Sequence, residues 1–305
     1  MRDNVTDAYL TQNVPNPFFG ILPATTTIGA SSTIARERLL RPFPQYDQVF
    51  STTNDGYSWY HSLQLRLEKR FSKGYTFMGA YTFSKFMQAT QYLNQDDLRP
   101  SEVISDMDFP HRISLNGIYE LPFGKGKSVL NGANSVVEKI VGGWQVSGIY
   151  SYQSGGPIGG PNGGANGWAY NNVPGSGLIL TGDFKDIALP SDQRTIERWF
   201  NTDAGFVTAA NQQRTARQVR TFPIRFSFLR GDNINNTDLS VIKKTDIREG
   251  KILEFRAEFI NAFNHPFFNT ENIVIDPTSA TFGRFVSQTQ RNYARRIQMS
   301  VKFTF

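Results

Sequence analysis

Beginning at Tyr57, apolar and polar side chains alternate one for one, and no other property of the chain leaves it so few ways to fold. Trp59, Leu63, Leu65, Leu67 and Phe71 alternate with Ser62, Gln64, Arg66, Glu68 and Arg70. Successive side chains of a strand point to opposite sides, so such a run has one greasy and one wet face. Ser72, Lys73 and Gly74 read as a tight turn, after which Tyr75, Phe77, Gly79, Tyr81 and Phe83 alternate with Thr76, Met78, Ala80, Thr82 and Ser84. The two runs predict a long hairpin. The pattern returns at Ile113 to Leu121, Trp144 to Gln153, Leu239 to Ile247, Leu253 to Phe263 and Tyr293 to Phe305, giving seven expected strands. Residues Asn134 to Ile140 suggest a short helical turn. The run Phe222, Ile224, Phe226, Phe228 reads as an extended lip segment within a long loop at 155–234.

Runs of about 11 to 15 residues exceed the ~5–6 of a typical soluble strand and suit the ~9–11 needed to cross a bilayer at a tilt. Their apolar sides carry aromatic residues at the ends and Leu, Val, Ile and Gly between, as in a lipid-facing band with aromatic girdles. Their other sides carry Arg and Glu, which a sandwich core would reject. The chain is 13% aromatic with a mean hydropathy of −0.38, and no stretch approaches the ~18 consecutive apolar residues of a spanning helix. Tight turns at 72–74 and 248–251 and a compact link at 122–142 alternate with long loops at 88–108, 155–234 and 265–290, as in barrels with tight periplasmic turns and long outer loops. The expected fold is therefore all-β, an antiparallel up-and-down meander forming part of a transmembrane β-barrel in the lipid of an outer membrane. Residues 1–56 are expected to form an extracellular loop region and 57–305 the barrel strands. Seven strands is an odd number, and an open sheet edge is not tolerated in hydrocarbon. Further strands, a plug and a signal peptide are accordingly expected upstream of Met1.

Several blocks in fixed order carry a resemblance. They are Val14-Pro15-Asn16-Pro17-Phe18-Phe19-Gly20, Arg41-Pro42-Phe43-Pro44-Gln45-Tyr46, Tyr60-His61-Ser62-Leu63-Gln64, Asp108-Phe109-Pro110-His111-Arg112, Leu121-Pro122-Phe123-Gly124, Gly143-Trp144-Gln145, and Arg256-Ala257-Glu258-Phe259-Ile260-Asn261-Ala262-Phe263-Asn264-His265-Pro266. In these the chain resembles the TonB-dependent receptor-like barrels of the Oar type, often with a carboxypeptidase regulatory-like domain at the start. The resemblance implies a plugged barrel of about 22 strands that imports ligands, driven by the inner-membrane TonB complex. It also implies that the last strand is read by the barrel-assembly machinery through Phe305, Phe303, Val301 and Met299.

The chemistry-bearing residues are sparse. Cysteine is absent, which removes disulfides, thiolate zinc sites and cysteine nucleophiles. The net charge of +6 is scattered rather than gathered into the patch that nucleic acid requires. Gly126-Lys127-Ser128 lacks the earlier glycine of a phosphate loop, and His61, His111 and His265 lack metal-ligand spacing. Asp96, Asp97, Asp106 and Asp108 lack the spacing of a calcium loop and read as solvated loop charge. No cofactor and no enzymatic activity are expected. Arg66, Arg70, Arg112, Glu254, Arg256 and Glu258 are expected to face the lumen, either as a cross-strand charge ladder or as a wall touching plug or substrate. Trp168 and Trp199 are candidate ligand-stacking aromatics of the outer loops. The leading expectation is a receptor-transporter fragment. The alternatives are a structural or adhesion barrel that only displays its loops, and a soluble carbohydrate-binding sandwich.

Overall fold

The computed structural model describes residues 3–47, 49, 52, 54–94, 97–159, 178–212, 219–287 and 290–305. The N-terminal segment holds α1 (Asn4–Thr11), a two-strand ribbon of β1 (Asn13–Pro15) and β2 (Thr33–Ala35), and α2 (Arg36–Leu39). Asp3 caps α1 by accepting the amides of Val5 and Thr6, each at 3.0 Å.

The rest is dominated by one antiparallel sheet. Its long strands are β3 (Tyr57–Ser72), β4 (Tyr75–Ala89), β6 (His111–Glu120), β7 (Trp144–Gln153), β8 (Ile234–Arg248), β9 (Lys251–Ile260) and β10 (Arg296–Thr304). They lie in the order β10-β9-β8-β7-β6-β4-β3, with the two-residue β5 (Val103–Ile104) against β4. Each long strand pairs with its chain neighbour, as a meander requires, and β3 and β10 remain as unjoined edges. The β3–β4 turn places Lys73 at φ 53° and Gly74 at φ 82°, the left-handed pair that matches the twist of a two-residue hairpin. At one end of the sheet the strands meet through that turn, the Glu249-Gly250 turn and the link carrying α3 (Ser135–Val141), capped by Asn134. At the other end lie the three long connections.

Register sorts the side chains as alternation requires. Leu63, Leu65 and Leu67 lie opposite Phe83, Tyr81 and Gly79, and the row continues through Leu115, Tyr150 and Thr237. On the same face Phe259, Ala257, Phe255 and Leu253 meet Ile297, Met299, Val301 and Phe303. Leu63, Leu65, Leu67, Met299 and Val301 are each more than half exposed, so this apolar face has no covering layer. The other face is polar: Gln64 meets Thr82, Ser114 meets Ser151, and Ser240 meets Glu258.

The buried core lies elsewhere. Ile158, Ile187, Phe200, Phe206, Phe222 and Phe285 belong to one hydrophobic cluster built from the β7–β8 and β9–β10 connections. These loops thus fold into a cap with its own core. The lip segment contributes Phe222, Ile224 and Phe226 to the buried set without forming a strand, and Phe228 stays 42% exposed. Several strand ends shift from expectation. β8 starts at Ile234 rather than Leu239, because Asn235, Asn236 and Thr237 pair with Tyr152, Ser151 and Tyr150 despite carrying no alternation. β9 stops at Ile260 because Asn261 takes φ 50°, and β10 starts at Arg296, where pairing with Ile260 begins.

Candidate functional site

The cap and the wall meet at a junction that the sequence assembles from five segments. Leaving β7, Gly155 runs so close to the backbone of Gly231 that a Cβ there would collide with its carbonyl. The two passing segments bond through Gly231 N to Gly156 O at 2.9 Å and Ile158 N to Leu229 O at 3.0 Å. Arg230 lies in this ribbon. Its Nη2 donates to Asp108 Oδ2 at 2.6 Å and its Nη1 to Asp108 O at 2.7 Å, while Asp108 Oδ1 accepts the amide of Phe86 at 2.6 Å. Asp108 is 1% exposed, so a buried carboxylate ties β4, the β4–β6 loop and the cap together. A second tie joins Asn94 Oδ1 to the amide of Arg220 at 2.7 Å.

Below the cap the junction leaves a cavity of about 570 Å³. The wall gives it Gln153, Ile234 and Asn236; the cap and loops give Asp106, Phe109, Asp232, Phe267, Glu271 and Arg291. Gln153, Ile234 and Asn236 belong to the polar face of the sheet, so the cavity communicates with that face. Asp232 accepts the amides of Phe268 at 3.0 Å and Asn233 at 2.9 Å, yet burial outweighs these bonds and raises its carboxyl above the usual range. Behind Asp106, 4.0 Å away, stands Arg225, whose side chain is 2% exposed. Burial lowers the pKa of this guanidinium, and its Nε and Nη1 find no acceptor among the described residues. The cavity is thus lined by carboxylates, amides, one arginine and two phenylalanines.

The loop over β9 is framed by asparagines. Asn261 donates from Nδ2 to Tyr293 O at 2.9 Å and accepts the amide of His265 at 3.0 Å. Asn264, at φ 55°, accepts the amide of Arg295 at 3.0 Å. The motif containing both is therefore a device for turning the chain and for seating Phe267 beside the cavity.

The expected site residues are distributed as follows. Glu254 lies 3.2 Å from Arg256 and 3.7 Å from Lys244, and Arg256 lies 3.5 Å from Glu258, so these form a charge ladder on the polar face. Arg66 shares that face, pairs with Glu68 at 3.1 Å, and stands strands away from the ladder. Arg112 lies opposite Thr82 and Gln153, nearer the cavity. Arg70 falls within the bulge between Lys69 and Ser72, where the ladder that would fix its face is broken. Trp199, the candidate stacking aromatic, packs half-buried against the cap core, its indole N–H donating to Arg230 O at 2.8 Å and its ring set edge-on to Phe285. Trp168 and Asp96 lie outside the described residues. Asp97 accepts the amide of Asn94, whereas Asp106 and Asp108 turn to Arg225 and Arg230, so the described loop carboxylates do not converge. His111 Nδ1 lies 2.9 Å from the Tyr81 hydroxyl, and among the described residues no group of three His, Asp or Glu could hold a metal. Val301, Met299 and Phe303 line the apolar face of β10, and Phe305 is 91% exposed beyond its end. Sequence reasoning missed the Asp108–Arg230 tie and the cavity, since partners so far apart in sequence leave no spacing signal.

One extended apolar face, one polar face and long meandering strands describe the wall of a membrane barrel. A family model described as outer membrane beta barrel domain matches residues 4–298. The chain belongs to that family. No curated protein and no solved structure matches it. As an outer membrane β-barrel domain it crosses the membrane with its long strands, apolar face to lipid and polar face to the interior. In outer membrane barrels the tight turns lie on the periplasmic side and the long loops outside. A second hollow of about 660 Å³, between Phe77, Gly117, Gly148 and Leu239, lies on the apolar face.

Proposed function

We propose that this barrel domain is part of a TonB-dependent receptor-transporter of the Oar-like type. It takes a ligand from outside beneath the cap and passes it along the polar face of the wall. The observation that supports this reading is the cavity at the cap–wall junction, which joins outer-loop residues such as Glu271 and Arg291 to interior-facing residues such as Gln153 and Asn236. Its mixture of carboxylates, amides and aromatic rings suits a polar organic ligand held by several hydrogen bonds. The free edges of β3 and β10 are joined, in this reading, through further strands of the same polypeptide, because unpaired backbone groups are not tolerated in hydrocarbon. Those strands enclose a plug that couples to TonB, and Phe305 with Phe303, Val301 and Met299 is read by the barrel-assembly machinery. The domain has no catalytic role.

Uptake into cells carrying the full-length protein tests the reading. Panels of labelled siderophores, oligosaccharides and peptides should include a class whose accumulation needs both the protein and the proton-motive force, and which Gln153→Ala with Asn236→Ala reduces. Accumulation indifferent to energy supply would instead favour a barrel that only displays its folded cap.

A further inference from the structure

The link from β6 to β7 is the long exception among the periplasmic connections, and its apolar side chains are uncovered. α3 carries Val136 and Ile140 one turn apart, 69% and 64% exposed, and the preceding turn adds Leu130 and Val129 at 49% and 42%. Two contacts fix where this patch sits. Trp144 Nε1 donates to Ile140 O at 2.9 Å, and the Lys243 ammonium donates to the carbonyl of Gly142. Trp144 and Lys243 are cross-strand partners on the apolar face of the wall. The last turn of α3 is therefore fastened to the lipid side of the barrel, not across its opening.

Around the patch stand exposed Lys125 and Lys139, with Lys127 paired to Glu120 at 2.7 Å. Glu138 is turned inward, accepting the amide of Lys125 at 2.7 Å. An apolar strip flanked by ammonium groups and continuous with a lipid-facing wall is the arrangement of an interfacial helix. We propose that α3 and the turn before it lie in the inner leaflet of the outer membrane as an anchor, with Val136 and Ile140 among the acyl chains. Lys139, adjacent to both on the helix, reaches back to the phosphates of anionic glycerophospholipids, its stem covering apolar surface. Continuity with the lipid-facing wall selects this occupant over a periplasmic protein.

These 305 residues contain no cysteine, so once any cysteine in the rest of the full-length protein is replaced by serine, a single introduced one takes one probe. Nitroxides at Val136→Cys and Ile140→Cys, in the full-length protein reconstituted in phosphatidylethanolamine and phosphatidylglycerol, are compared with one at Glu249→Cys in the β8–β9 turn. The ratio of collisions with oxygen to collisions with a water-soluble nickel chelate should be severalfold higher at 136 and 140 than at 249. Lys139→Glu should lower the ratio at 140 in these bilayers and leave it unchanged in phosphatidylcholine. Equal ratios at all three positions would overturn the proposal, and so would shielding of 136 and 140 from both reagents, the signature of a protein partner.

Discussion

Arg230 and Asp108, far apart in sequence, meet 2.6 Å apart where the cap joins the wall, the carboxylate buried and the guanidinium partly so. Removing one partner of such a pair strands the other charge without water, at about 3–5 kcal/mol. Arg230→Met should therefore loosen the cap, seen as faster amide exchange at 219–230 and at Phe86. Adding Asp108→Asn removes the stranded charge and keeps an acceptor for the Phe86 amide, so the double variant should regain part of the lost protection. Unchanged exchange in the single variant would deny the pair its clasping role.

Neighbouring positions on β3 offer a direct reading of which face meets lipid. Leu65 belongs to the apolar face and Gln64 to the polar one, both near the middle of a strand spanning Tyr57–Ser72. An arginine near the bilayer midplane costs about 2–4 kcal/mol on the lipid side of a barrel. Leu65→Arg should lose stability in that range during unfolding from liposomes, while Gln64→Arg should change it by less than about 1 kcal/mol, as expected of a solvated surface position. Equal losses would mean that the faces are misassigned.

Gly143 joins the periplasmic link to β7 at φ 69°, with its carbonyl accepting the amide of Lys244 at 2.9 Å. A Cβ there would strike the Lys244 carbonyl, and the left-handed backbone adds about 1–2 kcal/mol for a non-glycine residue. Gly143→Ala should reduce the folded, heat-modifiable fraction on gels, whereas Gly126→Ala, with open space around the glycine at φ 78°, should show only the backbone penalty.

Deleting Phe305 should lower the yield of assembled protein in outer membranes without altering the stability of the molecules that do assemble. Phe305 is 91% exposed and, among the described residues, its one aromatic contact is with the ring of Phe303, so its loss removes little packing. Unchanged yield would remove its assignment as an assembly signal.

The pH response of the cap follows from Asp232. Burial raises its carboxyl in the folded state above the value of 3.8 it has in the unfolded chain. The folded cap consequently holds a proton that the unfolded chain releases. Its contribution to stability is fully present below 3.8 and declines as pH rises through the raised folded value. Amide exchange at Phe268 should thus quicken across that window, beyond the intrinsic base catalysis of exchange. Asp232→Asn should flatten the excess, and a variant with the same slope as the parent would exclude Asp232 as its source.

The wall was legible because its information is local. Each residue from Tyr57 to Lys69 declares its face by parity, and Lys73-Gly74 declares the turn. The outer end of β8 was not, since Asn235, Asn236 and Thr237 join the ladder through backbone bonds that any side chain permits. The cap was hidden for a different reason. Ile158, Phe200, Phe222 and Phe285 reach one core from scattered positions with no period to detect. Of the cavity, the sequence revealed only that long loops stand above it; Asp232 and Glu271 acquire their setting from contacts made across the fold.

The cap has a mechanical corollary. Its core draws on both the β7–β8 and the β9–β10 connections, so four consecutive strands end in one solid body, like staves held by a hoop. The Asn94–Arg220 and Asp108–Arg230 ties extend the hoop to β4 and β6. Among the described residues β3 reaches this body only at second hand, through the bonds of Tyr57 to Glu102 and of Tyr92 to Asp55 on the β4–β6 loop, which makes its hairpin with β4 the more compliant line of the wall. Thermal breathing should therefore concentrate there, and a widening of the barrel to let something pass would begin at β3 and fade toward β10.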